Sequence, residues 1–262
     1  MFSSYRDLVM FSRIKAIFGG SKIKDEHEKA HEFVDYSKTA TLGIDIGKRI
    51  TVEYPVLDLY DNIEFSLGSS LKKVTGISRN KDGSNHSLRA YTEDEYFLQV
   101  DYFGEDSLEN LQQIMLMGYQ LDDGDHFRVY TDEELDSYSE EQMEDIAKDL
   151  EKAQKWKKVI DFAEEFEFRG NTYYRENEVT IGGQEVVELL GDEVTALENN
   201  FSIFSRKIAE EIYEVLIINA EQGLIVNDGN VIVGQEDTVT VSIALGLAVS
   251  HSNIKVNHHT GA

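Results

Sequence analysis

The chain has 262 residues, with 50 Asp and Glu against 25 Lys and Arg, for a net charge of −25. Apolar residues make up 41% and aromatics 10%, enough to build a core, which excludes a chain disordered throughout. The lack of cysteine excludes disulfides, thiolate metal sites, iron–sulfur clusters and cysteine nucleophiles, and the acidic excess repels phosphates, so nucleic acid is not an expected partner.

Residues 1–24 differ from the rest. Arg6, Arg13, Lys15, Lys22 and Lys24 stand against Asp7 alone, a net of +4, which leaves −29 for the remaining 238 residues. Met10, Phe11, Ile14, Ile17 and Phe18 recur at helical spacing and form one apolar stripe flanked by Arg13 and Lys15. Gly19-Gly20 then ends the expected amphipathic helix. A short apolar stripe with basic flanks suits contact with an anionic membrane surface or a protein partner. The same stripe also suits burial on the chain's own core or on another subunit. Asp7, Arg13 and Lys15 interrupt what would be the apolar region of a signal peptide. The longest apolar run, Ile243–Val249, falls well short of the roughly 20 residues of a spanning helix. A cytoplasmic location, peripheral to the inner membrane at most, is expected.

His27-Glu28-Lys29-Ala30-His31 matches the His-Glu-x-x-His zinc-hydrolase pattern, in which two imidazoles on one helix face bind Zn²⁺ and the Glu activates water. Glu53 is the candidate third ligand. The charged neighbours Glu26, Lys29 and Glu32 favour a solvated helix instead, so neither a metal nor a cofactor is expected.

From Leu42 the period becomes two. Leu42, Ile44 and Ile46 alternate with Gly43, Asp45 and Gly47, followed by Ile50, Val52 and Tyr54, then Ile63, Phe65 and Leu67. Further strands are expected at 86–91, 96–103, 112–120 and 126–130, antiparallel because no helical period separates them. Ser139 and Gln142 form a capping box, and Met143, Ile146, Ala147, Leu150 and Ala153 then recur at helical spacing. Acids near the start and lysines near the end complement the helix dipole, which places an acidic helix at about 140–158. Beyond it, strands are expected at 165–168 and 172–176, and 179–181 should pair with 185–190 across a Gly182-Gly183 turn. Residues 201–206 should pair with 212–220, and 224–226 with 231–233 across Asp228-Gly229. Residues 238–247 form a late strand. The expected fold class is therefore α+β: a mainly antiparallel β-rich body over 25–257, as one domain or two packed halves, with the acidic helix, the N-terminal amphipathic helix and a 258–262 tail.

Leu42–Gly47, the run Tyr91-Thr92-Glu93-Asp94-Glu95-Tyr96-Phe97-Leu98-Gln99-Val100 and the run Gly170-Asn171-Thr172-Tyr173-Tyr174-Arg175 together resemble the YjfK family of bacterial proteins, a domain of unknown function. The resemblance covers about 40–250. It implies a cytoplasmic protein associated with a membrane-stress system, with a phage-shock-protein-A-like protein as the implied partner.

Residues 101–168 carry 21 acids and 6 bases, so acid pairs there are no signal by themselves. Asp122-Asp123-Gly124-Asp125 lacks calcium-loop spacing, and the acidic face around Glu133–Asp149 suits a basic partner. No residue is assigned a catalytic role. The expected function is a non-catalytic accessory protein that binds partners through Met10, Phe11, Arg13, Ile14, Lys15, Ile17 and Phe18. The alternatives are a zinc-dependent hydrolase using His27, Glu28 and His31, and a hydrolase built on two carboxylates that meet in a cleft.

Overall fold

The computed structural model describes residues 42–257, apart from 83–84, 105–106, 122, 192 and 228–231. The expected N-terminal helix, the His27–His31 motif and the tail lie outside the described residues. The strands are β1 (Arg49–Val52), β2 (Leu71–Asp82), β3 (Asn85–Thr92), β4 (Tyr96–Phe103), β5 (Leu111–Tyr119), β6 (Asp125–Arg128), β7 (Glu165–Phe168), β8 (Asn171–Arg175), β9 (Ile181–Leu189), β10 (Val194–Ala209), β11 (Ile212–Val226), β12 (Ile232–Ala248) and β13 (Ile254–Asn257). Two helices, α1 (Asp132–Ser137) and α2 (Glu140–Phe162), lie between β6 and β7.

The α+β expectation is corrected. Strands hold 56% of the described residues, every pairing is antiparallel, and the protein is mainly β. The helices build no layer of their own; α2 is an attachment to a continuous sheet.

That sheet closes on itself. The order β2–β3–β4–β5–β12–β11–β10–β9 runs through consecutive antiparallel ladders, and β9 returns to β2 through Gly76–Leu189, Ile77–Glu188 and Ser78–Val187. The result is an eight-stranded barrel. Strand β2 serves three partners, with a bulge between Val74 and Gly76 in its ladder with β3. Its first residues pair with β1, and its later ones close the ring. Outside the ring, β13 pairs with β1, β6 lies beside β12, and the β7–β8 hairpin lies beside β10.

Paired residues share a face, so register decides what the barrel encloses. Ile77, Ala90, Leu98, Leu116, Leu245 and Leu216 fall on one face in successive strands. This apolar face points outward. It is buried beneath Ile44, Ile50, Val52 and Phe65 from the N-terminal stretch, Ala153, Trp156 and Ile160 of α2, and Phe168 and Tyr173 of the hairpin. The main core thus lies between the barrel and its cover, and the lumen receives the other face.

Two polar groups, one of them fully buried, fix the cover. Glu214, fully buried on β11, accepts at Oε1 from the backbone N–H groups of Glu64 (2.8 Å) and Phe65 (2.6 Å). At Oε2 it accepts from Tyr173 Oη (2.8 Å) and Arg206 Nε (2.7 Å). This is why the alternating run Ile63–Leu67 is extended but no strand: its amides are spent on a carboxylate rather than a ladder. Arg175, on β8, donates to the carbonyls of Val159 (2.9 Å), Ile160 (2.7 Å) and Ala163 (2.5 Å) and so caps the C-terminus of α2. The Ser139–Gln142 capping box is present at the other end. The helix extends beyond the expected residue 158 because a cation from a later hairpin satisfies its last carbonyls.

Two other expectations fail for backbone reasons. Leu42–Gly47 is a turn rather than a strand, since Gly43 (φ 71°) and Gly47 (φ 78°) adopt left-handed conformations. Gly182-Gly183 is no hairpin turn; both lie within β9, paired with Asn200 and Asn199. A Cβ on Gly182 would stand 2.9 Å from Asn200 Oδ1, so glycine here serves close approach.

Replacing Glu214 with alanine leaves Arg206 unpaired and two amides unsatisfied at the junction of barrel and cover. The expected loss is about 3–5 kcal/mol in urea unfolding, with a smaller loss for Glu214→Gln.

Candidate functional site

The inward face of the barrel is polar at its centre. Glu185 of β9, 3% exposed, is the hub. Its Oε1 accepts from Ser78 Oγ and from Tyr91 Oη (2.6 Å). Its Oε2 accepts from Arg89 Nη1 (2.8 Å) and Asn199 Nδ2 (3.0 Å). Four donors from β2, β3 and β10 occupy the roughly four lone-pair sites of this carboxylate.

Arg89 donates in addition to Gln99 Oε1 (2.9 Å), and its guanidinium stands 5.7 Å from the ring centroids of both Phe97 and Phe201. Phe97 and Phe201 come from distant strands, so this stacking spans the lumen. The network continues through Asn219 Nδ2, which donates to Asn199 Oδ1 (2.8 Å) and to Glu221 Oε1 (2.8 Å). Ser242 Oγ donates to the same Glu221 oxygen (2.9 Å). Beside it lies an apolar cluster of Phe97, Met115, Met117 and Ala244. Phe97 also packs against Tyr91 and Tyr119, at 5.9 and 5.3 Å between ring centroids.

Between these two regions remains a cavity of about 10 Å³, the scale of one water-sized sphere. It is lined by Arg89, Phe97, Tyr119, Phe201, Ile217, Asn219, Glu221, Ser242 and Ala244, contributed by six of the eight barrel strands. Asn219 is 7% exposed, and its Oδ1 is buried with no hydrogen-bond partner.

Enclosure sets the titration behaviour. Burial, reinforced by Glu185, holds the Tyr91 phenol well above its ordinary range, and burial with Glu221 nearby raises Tyr119. Burial alone would lower Arg89, but Glu185 and Tyr91 outweigh it and the guanidinium stays charged. Glu221 is raised by burial; the Ser242 and Asn219 hydrogen bonds oppose the rise, Glu185 adds to it, and Arg89 opposes it.

The residues singled out in the sequence are not here. Met10, Phe11, Arg13, Ile14, Lys15, Ile17, Phe18, His27, Glu28 and His31 lie outside the described residues. Glu53 is exposed and paired with Lys255 (2.5 Å). Asp123 pairs with Arg169 (2.7 Å) and Asp125 with Lys152 (3.0 Å), so these acids of the 122–125 turn brace neighbouring elements. Among the described residues no group of three or more His, Asp or Glu is placed to hold a metal ion, and no helix is long and apolar enough to cross a membrane. Glu185 and Glu221 do converge, but four donors occupy the first.

Sequence reasoning missed Arg89, Glu185, Asn219 and Glu221. The available signal was alternation within Tyr96–Val100, where Phe97 and Gln99 face the lumen while Leu98 and Val100 join the outer core. In the other marked run, Tyr173 holds Glu214 and Arg175 caps α2. No family model, curated protein or solved structure matches the chain.

The raised tyrosines make alkaline stability a test of the enclosed lumen. Unfolded tyrosines release their protons near pH 10, whereas the folded state retains them on Tyr91 and Tyr119. Outside the lumen, Tyr130, half-buried and bonded to Asp149, is pushed up to about 12. The unfolded state therefore binds fewer protons above pH 10, so the stability present below that pH is lost as the pH rises through the folded values. The part of the tyrosinate absorbance that is lost on replacing Tyr91 and Tyr119 with Phe is expected to rise together with cooperative unfolding rather than ahead of it.

Proposed function

We propose that this protein is a non-catalytic accessory protein built on a binding barrel. Its lumen takes up a small polar group, and its N-terminal segment contacts a protein partner at the inner face of the membrane. The observation that carries the binding reading is the lumen wall. Strands distant in sequence send aromatic rings and hydrogen-bonding side chains into one small cavity, where a single acceptor, Asn219 Oδ1, is left without a partner. Eight strands leave an interior that side chains nearly fill, or that admits one small ligand.

The hub carboxylate supports binding over hydrolysis. A general acid or base needs a site free to exchange a proton with substrate, and both oxygens of Glu185 already accept two hydrogen bonds each.

The partner reading rests on charge and on the resemblance to the YjfK family. The +4 of residues 1–24 opposes −29 on the rest, and Met10, Phe11, Ile14, Ile17 and Phe18 supply an apolar stripe between Arg13 and Lys15. A phage-shock-protein-A-like membrane-stress protein is the partner that the resemblance suggests.

Deleting residues 1–20 tests this reading. Full-length protein is expected to co-sediment with a purified phage-shock-protein-A-like partner on anionic phospholipid vesicles, and the truncated protein is expected to remain in solution with an unchanged melting temperature. Undiminished co-sedimentation after truncation would refute the contact.

A further inference from the structure

We propose that the lumen cavity is a site for an ammonium-type cation, either ammonium itself or the –NH₃⁺ head of methylamine, held by Glu221 and the Oδ1 of Asn219. This deepens the binding-barrel reading and rests on it.

Charge is the first argument. The central network contains two carboxylates, Glu185 and Glu221, and one guanidinium, Arg89. Arg89 is committed to Glu185 at 2.8 Å. Glu221 is held by the neutral donors Asn219 and Ser242, and both reach the same oxygen, Oε1. A half-buried carboxylate whose donors are neutral and reach only one oxygen favours a cation on the other. Burial accordingly lifts the Glu221 carboxyl above its ordinary range, a penalty that a bound cation would relieve.

Hydrogen-bonding sense is the second and independent argument. The unpartnered group at the cavity is an acceptor, Asn219 Oδ1. Its assignment follows from the network, because Asn219 Nδ2 already serves two acceptors, Asn199 Oδ1 and Glu221 Oε1. The missing group is therefore a donor. An –NH₃⁺ group has three donors and no acceptor, which suits Asn219 Oδ1 and the Glu221 carboxylate better than water, whose own lone pairs would face the apolar wall of Ile217 and Ala244. Tyr119 and Phe97 add ring faces, which attract ammonium groups. Size is the third argument. About 10 Å³, the scale of one water-sized sphere, matches a single –NH₃⁺ group better than the bulkier tetramethylammonium.

The test is thermal unfolding of the full-length protein in ammonium or methylammonium chloride, compared at equal ionic strength with sodium, potassium and tetramethylammonium chlorides and with neutral acetamide. Ammonium and methylammonium are expected to raise Tm progressively above the sodium baseline, as a ligand specific to the folded state must. Glu221→Gln, which keeps the shape and removes the charge, is expected to weaken the effect at least ten-fold. Ala244→Val, which fills the cavity, is expected to abolish it. Equal shifts in sodium, potassium or tetramethylammonium would overturn the proposal. Stabilisation by acetamide alone would overturn the cation class while leaving the binding barrel standing, and no shift with any probe would overturn both. Should either variant fail to fold, the ranking of the six probes on the unaltered protein decides.

Discussion

The structure depends on the closure of β2 against β9. Three residue pairs at this seam convert an open antiparallel sheet into a ring, and Ser78 Oγ reinforces it by donating to Glu185 from the neighbouring strand. Without closure, Arg89, Tyr91, Glu185 and Asn199 would line the face of an open sheet, their hydrogen bonds competing with water. With it, they sit in an enclosed lumen where each hydrogen bond is stronger and each unpaired group more costly. Residues 71–73 of β2 pair with β1 and residues 76–78 with β9, so the seam begins where the β1 ladder ends, next to the Val74–Gly76 bulge in the ladder with β3.

Closure also explains why the apolar face points outward. A barrel of eight strands has little interior volume, too little for the many Leu, Ile and Val side chains that these ladders present on their other face. Those side chains find their partners instead in α2, the β7–β8 hairpin and the N-terminal stretch. Glu214 and Arg175 then act as rivets. The first joins the barrel wall to the Glu64–Phe65 amides and to Tyr173, and the second joins the hairpin to the end of α2. Both satisfy backbone groups that a cover without regular pairing would otherwise leave orphaned.

How much of this was legible in the sequence depends on the range of the interaction. Local signals read well. Strands β4 and β7 stand where period-two patterning puts them, and the Ser139–Gln142 box starts α2. Interactions between distant segments did not read. Arg175 lengthens a helix that ended 13 residues earlier, and Glu214 claims amides 150 and 149 positions away. Gly182-Gly183 looked like a turn because glycine's freedom and glycine's small size leave the same mark in a sequence; here Gly182 gives the Asn200 side chain room within the ladder. Closure itself left no trace, since a three-pair seam between residues 76–78 and 187–189 has no local pattern. The fold class shifted from α+β to mainly β for a related reason: a conspicuous helix carries a strong periodic signal whatever its share of the architecture.

The buried glutamates show how coordination separates structure from site within one fold. Glu214 and Glu185 share a residue type and a depth, and each is surrounded by four or more donors on both oxygens. Such a carboxylate is finished: it has no lone pair to offer, and its removal is a question of stability. Glu221 lies in the same network as Glu185, yet its two donors crowd one oxygen and neither carries charge. Its neighbour Asn219 keeps an acceptor without a partner at the same cavity. Natural interiors rarely leave such groups unmatched. In a network otherwise satisfied from Ser78 to Asn199, an unpartnered acceptor beside this carboxylate marks where a donor from outside the chain belongs.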